Sequence, residues 1–464
     1  MRKDVYHDAV SRSPEEHPSV SSTTEAEVSA GCYDKPDNKE SIGTTIHGRV
    51  VATRTHKTVR FFDLRSETGI IQVVDEAGQG STVDSPTTSI KRGDFIEVFG
   101  VKRETLSGNM SMFANSIILL QSADTPIPTV REFDQQKAPP RYLQLLMNDD
   151  AREAIITRAV SIQKIRSHLS AIGMLEIDTP IVNTHYNGGV SRPFTTKHHA
   201  LRSEAYLRSS SELYLKQMII AGLEGVFEIG KQFRNEGLSN IHNPEFTALE
   251  MYHAYKDNTE MQQNLQQLLR TVTDDTDGIV SWRGGEIDLN VWRKAPIKTL
   301  TAETLSLDDD STFYIVKHAR SRGLQGTDDQ IVVALFEKFV KKQLIQPTFV
   351  THLPASLSPM TKKDDSDPTV ALSYKGYIGG MSLIDGSYEE TDARTQIESF
   401  TEQSEIHRTM GMPAYPRHME FVEALRYGMP PLAGASLSVD RLMMLITGQE
   451  TIANVLPDRA KRPK

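Results

Sequence analysis

The stretch of this sequence richest in groups that could do chemistry lies between residues 226 and 255. It reads Phe233-Arg234-Asn235-Glu236, then His242-Asn243-Pro244-Glu245-Phe246-Thr247, then Glu250-Met251-Tyr252. A guanidinium can hold a phosphate and a carboxylate together through its forked N–H groups. A carboxylate can accept from the amino group of adenine, a phenyl ring can stack on the base, and an imidazole can reach the terminal phosphates. An isolated Arg-x-Glu would read as a surface ion pair of little consequence. Two strands joined by a loop would present all of these groups from one surface.

Elements able to position that surface follow from the pattern around it. Residues 46–51, 58–64, 70–74, 95–101 and 112–120 are short β-rich runs separated by turn-formers such as Ser107-Gly108-Asn109. Five short strands at close spacing predict a small barrel. Pro126, Pro128, Pro139 and Pro140 mark a linker. Ile155, Ala159, Ile162, Ile165 and Leu169 recur at helical spacing with Gly173 as a stop, and a strand-like run at 174–177 ends at Pro180. The remainder alternates strands and helices without an internal repeat. Residues 1–42 are rich in Ser, Glu, Asp and Pro and read as a disordered tail. The expected division is a tail at 1–42, a barrel at 43–122, a linker at 123–140 and a large catalytic domain at 141–464.

Composition bounds the classes. The chain has 464 residues, 38% hydrophobic and 24% charged, which suits a globular protein with a sizeable core. Its formal net charge of −9 excludes a polycation, so any nucleic-acid contact must come from a local basic patch. A single cysteine, Cys32, cannot form an internal disulfide, and no zinc cluster is expected. No apolar run is long enough to span a membrane, and no apolar stretch follows Arg2 and Lys3, so no membrane partner or secretory signal is expected and the cytoplasm is the expected compartment. On the barrel, Arg49, Arg54, Lys57, Arg60 and Arg65 accompany Phe61 and Phe62. Aromatics on a positive face bind single-stranded nucleic acid by stacking, but strand aromatics also pack inward, and pattern alone leaves both readings open.

The run at 226–255 resembles motif 2 of class II aminoacyl-tRNA synthetases, specifically the lysyl-tRNA synthetase family, and the resemblance extends over residues 44–464. Residues 152–180 resemble motif 1, and Gly434-Ala435-Ser436-Leu437-Ser438-Val439-Asp440-Arg441 resembles motif 3. The resemblance implies an α+β fold: an antiparallel sheet with flanking helices, preceded by an OB-fold β-barrel that binds the anticodon. It implies a lysine–tRNA ligase that activates lysine with ATP and Mg²⁺ and works as a homodimer through the motif 1 region. Arg234 and Arg441 would be catalytic. Arg234, Glu236, His242, Asn243, Phe246 and Arg441 would bind ATP. Gly188, in Asn187-Gly188-Gly189-Val190, and Glu212, Glu250, Tyr252, Asp385 and Glu389 would bind the amino acid, with Glu389 and Tyr252 at its side-chain end. Phe61 and Gln72 would read the anticodon, with Asn109 where the family has a Glu.

Several positions depart from the family. Its two metal-holding Glu residues, seven apart, align with Lys375 and Ser382, so no residue is assigned as a metal ligand and Mg²⁺ is expected through the ATP phosphates. Asp385 replaces an Asn, and Ser436 and Ser438 replace glycines. The end of the chain differs too, at Leu456-Pro457-Asp458-Arg459. Ser209-Ser210-Ser211-Glu212, Thr391-Asp392-Ala393-Arg394 and the Gly-Met-Pro at 411–413 are more similar to the lysyltransferase that modifies elongation factor P, which lacks a barrel. Three readings therefore stand side by side: a lysine–tRNA ligase, a paralogue with another amino acid or acceptor, and a silent tRNA- or nucleotide-binding regulator.

Overall fold

Alternation along the second β-run decides what its aromatics do. A computed structural model describes residues 43–66, 69–76, 90–105, 108–134, 139–186, 191–409 and 418–458. The expected tail, Gly188 and residues 411–413 lie outside the described residues. The chain forms two compact units, Met1–Glu132 and Phe133–Lys464.

In the first unit β1 (Thr44–His56), β2 (Val59–Ser66), β3 (Gly69–Glu76), β4 (Phe95–Glu104) and β5 (Met110–Gln121) close into a barrel in the order β1-β2-β3-β5-β4. The β3–β5 pair is parallel and the rest are antiparallel. The core is Val50, Phe62, Leu64, Val73, Ile96, Val98, Met112 and Ile117. Successive strand side chains face opposite ways, so Phe62 is core and Phe61 is not.

The second unit is built on an eight-stranded sheet. Its strands are β6 (Leu175–Glu176), β10 (Gly225–Phe233), β11 (Glu245–Ala254), β14 (Arg293–Pro296), β15 (Thr348–Pro354), β16 (Val370–Ile378), β17 (Met381–Tyr388) and β18 (Leu432–Ser438). They lie in the order β14-β15-β16-β17-β18-β11-β10-β6. The six central strands are antiparallel as expected, but β6 pairs parallel with β10 and β14 parallel with β15, so the sheet is mixed. Each edge strand enters after a long connection rather than a hairpin, which frees its direction. Two small sheets, β7 (Val182–Asn183), β8 (Thr195–His198) and β9 (Ser203–Leu207), and β12 (Ile279–Trp282) with β13 (Gly285–Asp288), complete the strands.

Helices cover the sheet. The long helix Asp149–Ala171 (α1) buries Ala154, Arg158, Ser161, Ile165 and Leu169. Ala159, expected on its apolar stripe, is exposed, because Arg158 turns inward to pair with Asp440 at 2.7 Å. Helices α2 (Glu212–Ile220), α3 (Asn258–Val272) and α4 (Val439–Ile446) follow. Leu249, Met251, Ala435, Leu437, Ile384 and Tyr374 from the central strands belong to the main core with residues of α1, α3 and α4. The opposite face of those strands carries the polar residues. Among the described residues no helix is long and apolar enough to cross a membrane.

Candidate active site

Register places the site. Cα partners run Glu228–Glu250–Ser436–Asp385–Lys375 across five strands, and a second row runs Tyr252–Gly434–Ser387–Ser373. Directly opposed residues project to the same face, so both rows line one side of the sheet, away from the main core.

At one end, the β10–β11 turn carries Arg234, Glu236, His242 and Asn243. Backbone bonds tie it down: Arg234 N–H donates to Pro244 O at 2.8 Å and Asn243 Nδ2 to Glu245 O at 2.6 Å. The Arg234 guanidinium carbon lies 5.2 Å from the centre of the Phe246 ring. Arg441, from the first turn of α4, reaches back to donate to Ser382 O at 2.6 Å and Ile241 O at 3.4 Å. His242 pairs with Ser239 Oγ at 2.7 Å, and burial, then Arg441, hold its imidazole below the ordinary range. Burial, then Arg234, also lowers the Arg441 pKa, so the two guanidiniums share one neighbourhood. Arg234, Glu236 and His242 are exposed. This end can bind a polyanion and stack a base.

The other end is acidic and closed. The Glu250 carboxylate accepts from Ser210 Oγ at 2.9 Å and from Ser211 N at 3.1 Å and Oγ at 3.2 Å. Burial and then Glu212 push its pKa up to about 7. Glu389, 1% exposed, accepts from Ser387 Oγ at 2.7 Å. Lys216, fully buried on α2, donates to Glu212 Oε1 and Glu389 Oε2, both at 2.7 Å, and its ammonium lies 5.5 Å from the Tyr252 ring centre. Burial opposes the Lys216 charge, but Glu212 and Glu389 outweigh it and raise its pKa, while burial raises that of Glu389. A Cβ on Gly434 would come within 2.3 Å of Tyr252 and 2.6 Å of Glu389, so the absence of a side chain there lets the two sit together.

Asp385, from the same row, meets Lys375 Nζ at 2.8 Å. Among the described residues no group of three or more His, Cys, Asp or Glu could hold a metal ion. Neither Lys375 nor Ser382 carries a carboxylate, so the two do not fit a protein-held Mg²⁺, which takes carboxylate oxygens. On the barrel, Phe61 and Gln72 share the outer face of adjacent strands, and Arg54 lies 5.9 Å from the Phe61 ring. Gln72 accepts from Ser111 Oγ at 3.4 Å. Asn109 is exposed in the β4–β5 turn, its backbone bonded to Thr105.

Sequence reasoning overlooked Lys216, gave Ser211 no role, and missed Gln232, whose Nε2 donates to Glu250 Oε1 at 3.4 Å. A signal for Lys216 was present: it stands four residues after Glu212 in a helix whose buried face is otherwise Leu213, Leu215 and Ile219. A lysine on an apolar stripe needs a buried partner.

Residues 134–457 match the family of class II tRNA synthetases (D, K and N), and residues 44–120 match the OB-fold nucleic acid binding domain. The chain is 34% identical over 455 residues to a lysine–tRNA ligase of Methanospirillum hungatei, covering 94% of this chain and 89% of the relative. It is 33% identical over 444 residues to one from Clostridium novyi, covering 91% and 86%. A third, from Thermotoga maritima, is 32% identical over 438 residues and covers 92% and 87%.

Proposed function

The chain belongs to the class II tRNA synthetases of the D, K and N group, and from that membership we propose that it activates lysine with ATP and transfers it to tRNA. A lysine carboxylate oxygen attacks the α-phosphorus, the bond to pyrophosphate breaks, and lysyl-adenylate forms. A ribose hydroxyl of the tRNA then attacks the lysyl carbonyl and AMP leaves. Arg234 bridges the α-phosphate and the substrate carboxylate, Glu236 and Phe246 take the adenine, and Asn243 braces the loop. Arg441 and His242 face the terminal phosphates. Neutralising charge that develops on the α-phosphate in a partly dry site lowers the barrier directly.

The observation that carries lysine is the charge count at the closed end. Glu212, Glu250 and Glu389 are three carboxyls, and Lys216 supplies one ammonium. Two acidic groups remain for a guest, and lysine brings an α- and an ε-ammonium. Glu212 and Glu250 take the first; Glu389, with Tyr252 beside it, takes the second. Gly188 in the preceding loop is assigned to the amino acid by resemblance alone.

The barrel offers Phe61 for stacking and Gln72 and Asn109 for polar contact with the anticodon. Ile156, Val160, Ile172, Leu175, Ile181 and Val182 are each 39–52% exposed around α1 and β6, an apolar group that supports a homodimer through this region. ATP–pyrophosphate exchange screened over the standard amino acids tests the proposal. Exchange with lysine and charging of tRNA are expected. Exchange with a different amino acid only would replace the substrate, and no exchange at all would remove the enzymatic reading.

A further inference from the structure

Two departures from the family, read separately, look damaging. Lys375 stands where a carboxylate should hold a metal, and Asp385 stands where a neutral amide should face the substrate carboxylate. The structure joins them: Lys375 Nζ and Asp385 Oδ2 lie 2.8 Å apart in one row of the sheet. Asp385 loses its repulsion towards an anion because its charge is met, and Lys375 is fixed in direction because Asp385 holds it. An ammonium has three N–H donors, and among the described residues Asp385 takes one. The Lys375 side chain is 38% open to solvent, so the remaining donors are within reach of a ligand. Asp385 first, and Glu337 more weakly, favour the Lys375 charge, while Arg234 opposes it. The second metal position, Ser382, sits under a cation as well, since its carbonyl accepts from the Arg441 guanidinium at 2.6 Å. A divalent ion placed between these positions would meet two fixed positive charges, with the Asp385 carboxylate already taken by one of them and no group of three or more metal-ligating side chains among the described residues.

We propose that Lys375, held by Asp385, is a resident phosphate-binding cation that does the charge neutralisation otherwise left to protein-held Mg²⁺, so the nucleotide site binds ATP without a metal ligand of its own. The inference rests on the activation reading above. Its test is calorimetric titration of ATP into the full-length protein, once with excess Mg²⁺ and once with EDTA. The same protein without ATP is titrated with Mn²⁺, followed by electron spin resonance.

Removing Mg²⁺ should weaken ATP binding to the wild type by less than about tenfold, because the fixed cations remain. Lys375→Met should weaken ATP binding by about tenfold to a hundredfold in both buffers, the worth of a charge-assisted contact, while Lys375→Arg retains it. Lys375→Met with Asp385→Asn, which removes both halves of the pair, should weaken it similarly and guards against misfolding of the single variant. Lys375→Glu with Ser382→Glu should create Mn²⁺ binding absent from the wild type. The inference is overturned if EDTA costs the wild type about a hundredfold or more, if Lys375→Met and the paired variant bind ATP like the wild type, or if the wild type binds Mn²⁺ tightly without ATP. A wild type that binds no ATP in either buffer would instead overturn the activation reading, and this inference with it.

Discussion

The two ends of the site solve opposite electrostatic problems. At the phosphate end Arg234, Glu236 and His242 are exposed, and their loop is held chiefly by backbone bonds. Water screens the Arg234 guanidinium there until a polyanion arrives, while Arg441 lies partly buried beside it. At the amino-acid end Lys216 and Glu389 are sealed, so charge must be met inside the protein before any substrate binds. A buried charge without a partner is far more costly than an exposed one. The phosphate end can therefore lose a charge and keep its fold, whereas the amino-acid end stakes stability and specificity on the same ion pairs.

Lys216→Met should break that contrast hardest. It leaves Glu389 and Glu212 without their cation, and breaking a buried pair costs about 3–5 kcal/mol. Chemical denaturation of this variant beside Arg441→Ala checks it, and equal stability losses would erase the distinction. Arg234→Ala and Arg441→Ala should instead cut ATP–pyrophosphate exchange by about 10²- to 10³-fold, as loss of a transition-state contact does, with little change in denaturation midpoint. Unchanged exchange in either variant would sink the assignment.

Gly434→Ala asks how tightly the closed end is fitted. The new Cβ would strike the Tyr252 ring, and overpacking costs about 1–3 kcal/mol. KM for the amino acid should rise while ATP affinity holds; a rise in both would mean that the two ends are coupled.

The pH profile sharpens the comparison further. Glu250 binds an ammonium only when ionised, and burial raises its carboxyl to about 7. As pH falls through 7 the carboxyl is neutralised, so kcat/KM for the amino acid should drop by about tenfold per unit below that point. ATP affinity should not follow this limb, and Glu250→Gln should make it shallower without removing it, because burial raises Glu389 to about 7 as well. A flat profile between roughly pH 6 and 8 would contradict the raised carboxyl. The smallest effect belongs to the barrel. Phe61→Ala should raise KM for tRNA by about fivefold to tenfold, the low end of what one stacked base is worth, and leave pyrophosphate exchange unaltered. A loss of exchange would show that the variant damages more than recognition.

Much of this was legible in the chain itself. The five strands of the barrel and the β10–β11 hairpin follow from alternation and turn residues, which act over a few positions. Arg234, His242 and Phe246 could be proposed together because they lie within one short run, and groups concentrated in sequence can be read without knowledge of the fold. The directions of β6 and β14 were not legible, since each depends on a long connection whose path local pattern does not encode. Ala159 was misplaced because periodicity cannot tell that Arg158 would turn inward to Asp440, some 280 residues later.

Residue types and local spacing by themselves determined that the chain carries a small barrel, a large α+β domain and a hairpin rich in Arg, His and Phe. Tertiary packing alone decided which distant residues share a charge. Lys216 meets Glu389 and Lys375 meets Asp385 because α2 and the central strands bring them together. An ion pair needs its partners within about 4 Å, and separation along the chain does not reveal separation in space.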